Sequence, residues 1–237
     1  MQKTLAAATV AALVGVAGAA NAADVYTPSL KDPISLAPAT WAGFYFGVYD
    51  GYSWGDQQTD APQLTKKVGA TTYHDKTDGD FGGVEAGYSI QRGNIVLGTE
   101  LDLGALGING TVNHPNFAFI TNSVDSGLYF DLTTRLGYSF GPALVYAKGG
   151  LAFFDGDQTL NIAGRTVTNS GLLGWTIGGG VEYKVFANST VKLEYQYFDF
   201  GDTDLTLGAF RFKEGLTANT VKIGFNYYLS SGYEPLK

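Results

Sequence analysis

A period-two alternation that recurs along the chain constrains this sequence more than any other feature. Successive side chains of a β-strand point to opposite sides. In Trp41–Gly55, which reads WAGFYFGVYDGYSWG, one side carries Phe44, Phe46, Val48, Tyr52 and Trp54, interrupted by Asp50. The other side carries Gly43, Tyr45, Gly47, Tyr49, Gly51 and Ser53. A ribbon of this length, aromatic at both ends and glycine-rich on one face, suits the wall of a membrane-spanning barrel. The alternation returns at Asp80–Gln91, Ile95–Leu103, Asp125–Phe140, Leu144–Phe154, Leu172–Val185, Thr190–Phe200 and Leu216–Leu229. Short turns at Arg92–Asn94, Gly141-Pro142 and Ala187–Ser189 alternate with long loops at 56–79, 104–124, 155–170 and 201–215. The pattern predicts an all-β fold, an eight-stranded antiparallel up-and-down transmembrane β-barrel, with the short turns and both chain ends on one side.

Alternation alone does not say which row faces inward, and a soluble lipocalin-like barrel would bury the apolar row. Three features favour lipid outside. The charged row sets Glu85, Glu100, Asp102, Asp131, Glu182 and Glu194 against Arg135, Lys148, Lys184, Lys192 and Lys222, near balance in a chain of net charge −7. A closed interior needs that balance, because an unpaired buried charge is costly. Glycines share the row, among them Gly47, Gly87, Gly137 and Gly180, and leave space for long side chains to cross a narrow lumen. The apolar row is almost free of charge, as a lipid-facing row must be where Lys or Arg costs about 2–4 kcal/mol near the midplane. Trp41, Trp54, Tyr88, Tyr138, Trp175, Tyr183, Tyr195 and Tyr227 fall toward strand ends, where aromatic girdles sit.

The N-terminus reads as an export signal over residues 1–22: Lys3, an apolar run from Leu5 to Ala20, and Ala20-Asn21-Ala22 as the cleavage site. Residues 23–40, with Pro28, Pro33 and Pro38, read as a periplasmic linker, 41–229 as the barrel and 230–237 as a tail. The chain has no cysteine, which removes disulfides and thiol catalysis. Its acidic balance argues against nucleic acid as a partner. His74 and His114, both in expected loops, are accompanied by no metal, nucleotide or hydrolase motif. Gly178-Gly179-Gly180 sits within a strand pattern, where it serves close packing. The residues therefore give no reason to expect an enzyme, a cofactor or a metal.

The chain resembles the small outer-membrane β-barrel, or outer-membrane immunogenic, proteins of Gram-negative bacteria. The likeness lies in Trp41–Gly47, Gly82–Tyr88, Gly98–Asp102, Arg135–Tyr138, Gly149–Ala152 and Val221–Tyr227. It implies assembly into the outer membrane by the assembly machinery, contact with outer-membrane lipid and lipopolysaccharide, and a role in envelope integrity or surface exposure. The chain departs from the family pattern at its end: members finish on an aromatic residue, whereas here Leu229 is followed by residues 230–237. Eight strands give an interior that side chains fill, so the eleven ionisable residues named above are expected to form a structural network in a plugged lumen. A narrow pore for ions or small solutes, and a surface adhesin or ligand-binding protein acting through loops 56–79 and 104–124, are the alternatives.

Overall fold

The computed structural model describes residues 40–60, 72–108, 110–113, 120–162, 165–169, 171–207 and 210–229. Residues 1–39 and 230–237, and with them the expected export signal, nearly all of the linker and the tail, lie outside the described residues, as does His114.

Among the described residues twelve strands are formed: β1 (Gly43–Asp60), β2 (Thr72–Arg92), β3 (Ile95–Leu106), β4 (Gly110–Asn113), β5 (Ile120–Val124), β6 (Gly127–Phe140), β7 (Ala143–Phe154), β8 (Gln158–Ile162), β9 (Arg165–Asn169), β10 (Leu172–Lys184), β11 (Ser189–Leu207) and β12 (Phe210–Tyr228). Eight of them close a barrel in the order β1-β12-β11-β10-β7-β6-β3-β2, every pair antiparallel. Tracing paired residues around the ring from Trp54, by way of Ile177 and Thr134, returns to β1 at Phe44, ten residues lower. With eight strands, that stagger tilts each strand by about 40°. Gly93 (φ +60°) and Gly141 (φ +74°) make the tight β2–β3 and β6–β7 turns, where a positive φ suits glycine. These turns lie with the start of β1 and the end of β12 at one end of the barrel, the turn end. The long connections lie at the other, the loop end.

The expected loops are the main correction. The described parts of segments 56–79 and 201–215 are strand, because β1, β2, β11 and β12 run on past the membrane wall, to Asp60, Thr72, Leu207 and Phe210. Segments 104–124 and 155–170 contain β4, β5, β8 and β9, which form a four-stranded antiparallel sheet in the order β4-β5-β8-β9. That order repeats the order of the barrel strands they adjoin in the chain, β3-β6-β7-β10. Backbone bonds from Asp155 N to Leu128 O (2.8 Å) and from Asp125 N to Asp157 O (3.0 Å) bridge the break. His74 consequently lies on β2, opposite Gln58 of β1, and not in a loop.

The facing follows the alternation. β3 is strictly alternating in burial, and β6 follows the same pattern from Leu128 onward. Phe46, Val84, Leu101, Leu132, Leu151, Ile177, Leu193 and Ile223 are exposed on the outer wall, while Glu85, Glu100, Arg135, Lys148 and Lys222 are buried inside. Exposure of so large an apolar belt is tolerable only in lipid. Asp50 is a carboxylate on this outer row, in register with Gly82 and Ile223.

Candidate functional site

Among the described residues the buried ionisable groups gather in the lumen, which is built in three layers. At the turn end, Trp41, Tyr45, Val96, Leu144, Tyr146 and Tyr228 form an aromatic-rich cluster. At the loop end, Tyr49, Phe81, Leu106, Ile108, Tyr129, Ala152, Phe154, Leu172, Phe198, Phe200, Leu216 and Ala218 form a larger apolar one. Its rings contact in sequence: Phe81–Tyr129 at 5.0 Å, Tyr129–Phe198 at 5.8 Å, Phe198–Phe200 at 6.0 Å and Phe154–Phe200 at 5.6 Å. Between the two clusters lies the charge.

The central group sets Lys148 of β7, Lys192 of β11 and Lys222 of β12 among four carboxylates. Lys148 Nζ lies 2.8 Å from Glu100, 2.9 Å from Asp102 and 3.0 Å from Glu194. Lys222 Nζ lies 2.8 Å from Asp102 and 3.0 Å from Glu194. Lys192 pairs with Glu85 on the far wall and lies 3.5 Å from both Glu100 and Glu194. Nearer the turn end, Arg135 Nη1 donates to Glu182 Oε2 at 3.1 Å and Nη2 donates to Ser89 Oγ and Tyr228 Oη, both at 3.0 Å. The guanidinium carbon sits 4.5 Å from the Tyr45 ring centroid. Glu182 also accepts from Thr190 (2.5 Å), Asn226 (3.2 Å) and Tyr228 (3.3 Å). Tyr45 and Tyr146 donate to Glu100 and Glu194 at 2.7 and 2.6 Å, tying the lower aromatic layer to the charges. On the other side, Lys222 Nζ lies 4.2 Å above the Tyr49 ring, and the Tyr49 and Tyr129 hydroxyls share a hydrogen bond.

Nine of the eleven expected residues thus meet in ion pairs. The other two stand apart. Asp131 accepts from the Gln196 amide at 2.9 Å, above the lysine group. Lys184 reaches the turn-end mouth, where Nζ lies 4.7 and 4.9 Å from the rings of Trp41 and Tyr228. Trp41, read from the sequence as a girdle residue, is wholly buried inside the mouth. Its odd number placed it on the inward row with Gly43 and Tyr45, a signal that its position before the strand obscured.

Glycines make the interior possible. A Cβ on Gly150 would lie 2.0 Å from Leu132 O, and one on Gly87 would lie 2.3 Å from the Tyr45 ring. Carboxyl oxygens of Glu85, Glu100 and Asp102 lie within 4.8 Å of one another, close enough to hold a cation. Lysine ammonium groups already face all three, so the charge that a metal would supply is present.

A closed eight-stranded barrel with a lipid-facing apolar wall and a polar, salt-bridged interior defines a small outer-membrane β-barrel protein, located in the bacterial outer membrane. The chain belongs to the outer membrane protein beta-barrel domain family, whose model matches residues 9–228. It is 30% identical over 237 residues to the 31 kDa outer-membrane immunogenic protein of Brucella melitensis, covering 95% of this chain and 99% of that one. It is 33% identical over 185 residues to the 22 kDa outer membrane protein of Rhizobium leguminosarum bv. viciae, covering 78% and 76%. Among solved structures, the outer membrane protein OprG of Pseudomonas aeruginosa aligns with a TM-score of 0.45 at 11% identity, covering 79% of this chain and 97% of that one.

Proposed function

We propose that this protein is a structural outer-membrane barrel with a side-chain-filled lumen, which supports envelope integrity and displays β-structure at the cell surface. One observation carries the reading. The lumen holds an aromatic layer, a salt-bridged layer and a second apolar layer in succession. A hydrated ion would have to displace all three, and breaking buried charge pairs costs about 3–5 kcal/mol each. The buried cluster reads as structural: its carboxylates are paired with lysines and an arginine, which supports a non-enzymatic role. Residues 1–22 serve export, residues 23–40 the periplasmic connection, and outer-membrane lipid, lipopolysaccharide and the assembly machinery are the partners. The sheet β4-β5-β8-β9 gives some support to a second reading, adhesion, because β4 and β9 each pair on one edge only among the described strands.

A deletion strain tests the proposal. The structural reading expects raised sensitivity to detergent and to large hydrophobic antibiotics, with uptake of small hydrophilic solutes unchanged. An intact permeability barrier together with slowed solute uptake would replace this reading with that of a narrow porin.

A further inference from the structure

We propose that Trp41 is a stopper, sealing the turn-end mouth of the lumen and clamping the strand ends around it into the closed ring. The residue precedes β1, yet its exposure is 0%. Its indole reaches from the start of β1 to the far wall: Nε1 donates to Ser139 Oγ at 3.0 Å and to Gly141 O at 3.2 Å, both at the β6–β7 turn. Its backbone N donates to Gln91 Oε1 at the end of β2, at 2.7 Å. The ring stands edge-on to Tyr228, at the end of β12, with centroids 6.2 Å apart and planes at 78°. Lys184, at the end of β10, places its ammonium over the same ring.

The ends of β6, β10 and β12 therefore meet on one side chain, and the end of β2 meets the backbone of the same residue. Those four strands surround a common axis only after β1 has paired with both β2 and β12. The Trp41 contacts form with closure and are lost with opening, which makes the residue a clamp. Next along the lumen lie Ser89, Arg135 and Glu182, all buried, and the stopper separates this group from the water outside the turn end. Lys184 is part of the device: its charge rests on two aromatic faces, an arrangement that attracts a cation.

The absence of cysteine from the chain supplies the test. Ser89→Cys places one thiol directly behind the stopper. Refolded barrels, checked by their heat-modifiable migration, are treated with a small water-soluble thiol reagent. With Trp41 present the thiol is protected. In Trp41→Ala/Ser89→Cys the labelling rate rises by about tenfold or more, as it does when a local barrier to opening is removed, and the temperature at which the folded band disappears falls. Trp41→Phe fills the mouth without the two indole hydrogen bonds and gives an intermediate rate. It also carries the comparison if the alanine variant does not fold, labelling at the parent's rate then counting against the stopper. A folded alanine variant as protected as the parent, or a thiol already labelled behind Trp41, would overturn the proposal. The proposal rests on the lumen being filled but fails separately. A silent barrel with an open thiol removes the stopper and keeps the filled lumen, whereas a conducting barrel passes ions through the mouth and removes both.

Discussion

Replacing Arg135 with methionine, which keeps most of the volume, strips Glu182 of the cation that pairs with it at 3.1 Å. It also removes the donors to Ser89 and Tyr228 and the cation resting on the Tyr45 ring. Removing one member of a buried pair costs about 3–5 kcal/mol. The lower end applies, because Glu182 keeps hydrogen bonds from Thr190, Asn226 and Tyr228, and Glu100 keeps Lys148 and Lys192. A loss of about 3 kcal/mol, at a urea slope of about 2 kcal/mol/M, lowers the unfolding midpoint by about 1.5 M. The assay is urea unfolding of the barrel refolded in lipid vesicles, followed by tryptophan fluorescence and by the heat-modifiable band. In Arg135→Met/Glu182→Gln the orphaned charge is gone, and most of the lost stability returns, leaving a cost of about 1 kcal/mol. An unchanged midpoint in the single variant, or a double variant that loses the sum of both single effects, would refute the account of the ion network.

Three further outcomes follow from the same geometry. Val181→Lys puts an ammonium on the lipid-facing row, where Val181 is 50% exposed, whereas Thr176→Lys adds one to the lumen; membrane insertion falls much further for the first, and equal insertion would contradict the facing. Gly87→Val drives a side chain into the Tyr45 ring and displaces its hydroxyl from Glu100, lowering stability by about 1–3 kcal/mol in the same urea assay, and an unaltered midpoint would show that the interior has room to spare. Asp50→Val removes a carboxylate from the outer row and raises the unfolding midpoint by the equivalent of about 1 kcal/mol or less; a drop would show that the carboxylate has a stabilising partner.

The barrel was legible because lipid on one side and a polar lumen on the other impose the strongest contrast two rows can carry. In β3 that contrast separates Leu97, Leu101 and Leu103 from Glu100 and Asp102. Above the membrane the contrast fades, and the reading faded with it. β1 and β2 continue through Gln57–Asp60 and Thr72–Asp75, where both rows are polar, and β4, β5, β8 and β9 are only four or five residues long, too short for a period to register. The loop-end plug was hidden for the opposite reason: around Tyr129 and Phe154 aromatic or apolar residues stand on both rows, with Leu128, Phe130 and Phe153 on the other side. Row membership identified the lumen charges but not their partners, since pairing across a barrel depends on the stagger of strands far apart in sequence. Lys184 shares the row of the network, but its place at the strand end puts it in the mouth, with Trp41.

The central claim is that the lumen is closed by its own side chains. Single-channel conductance of the refolded, heat-modifiable barrel in a planar bilayer addresses it most directly. A filled lumen leaves the membrane silent, with Arg135→Met silent as well, because the apolar and aromatic layers remain on both sides of the charges. Steady, reproducible openings of the unmodified protein would contradict it and would make the three layers a gate.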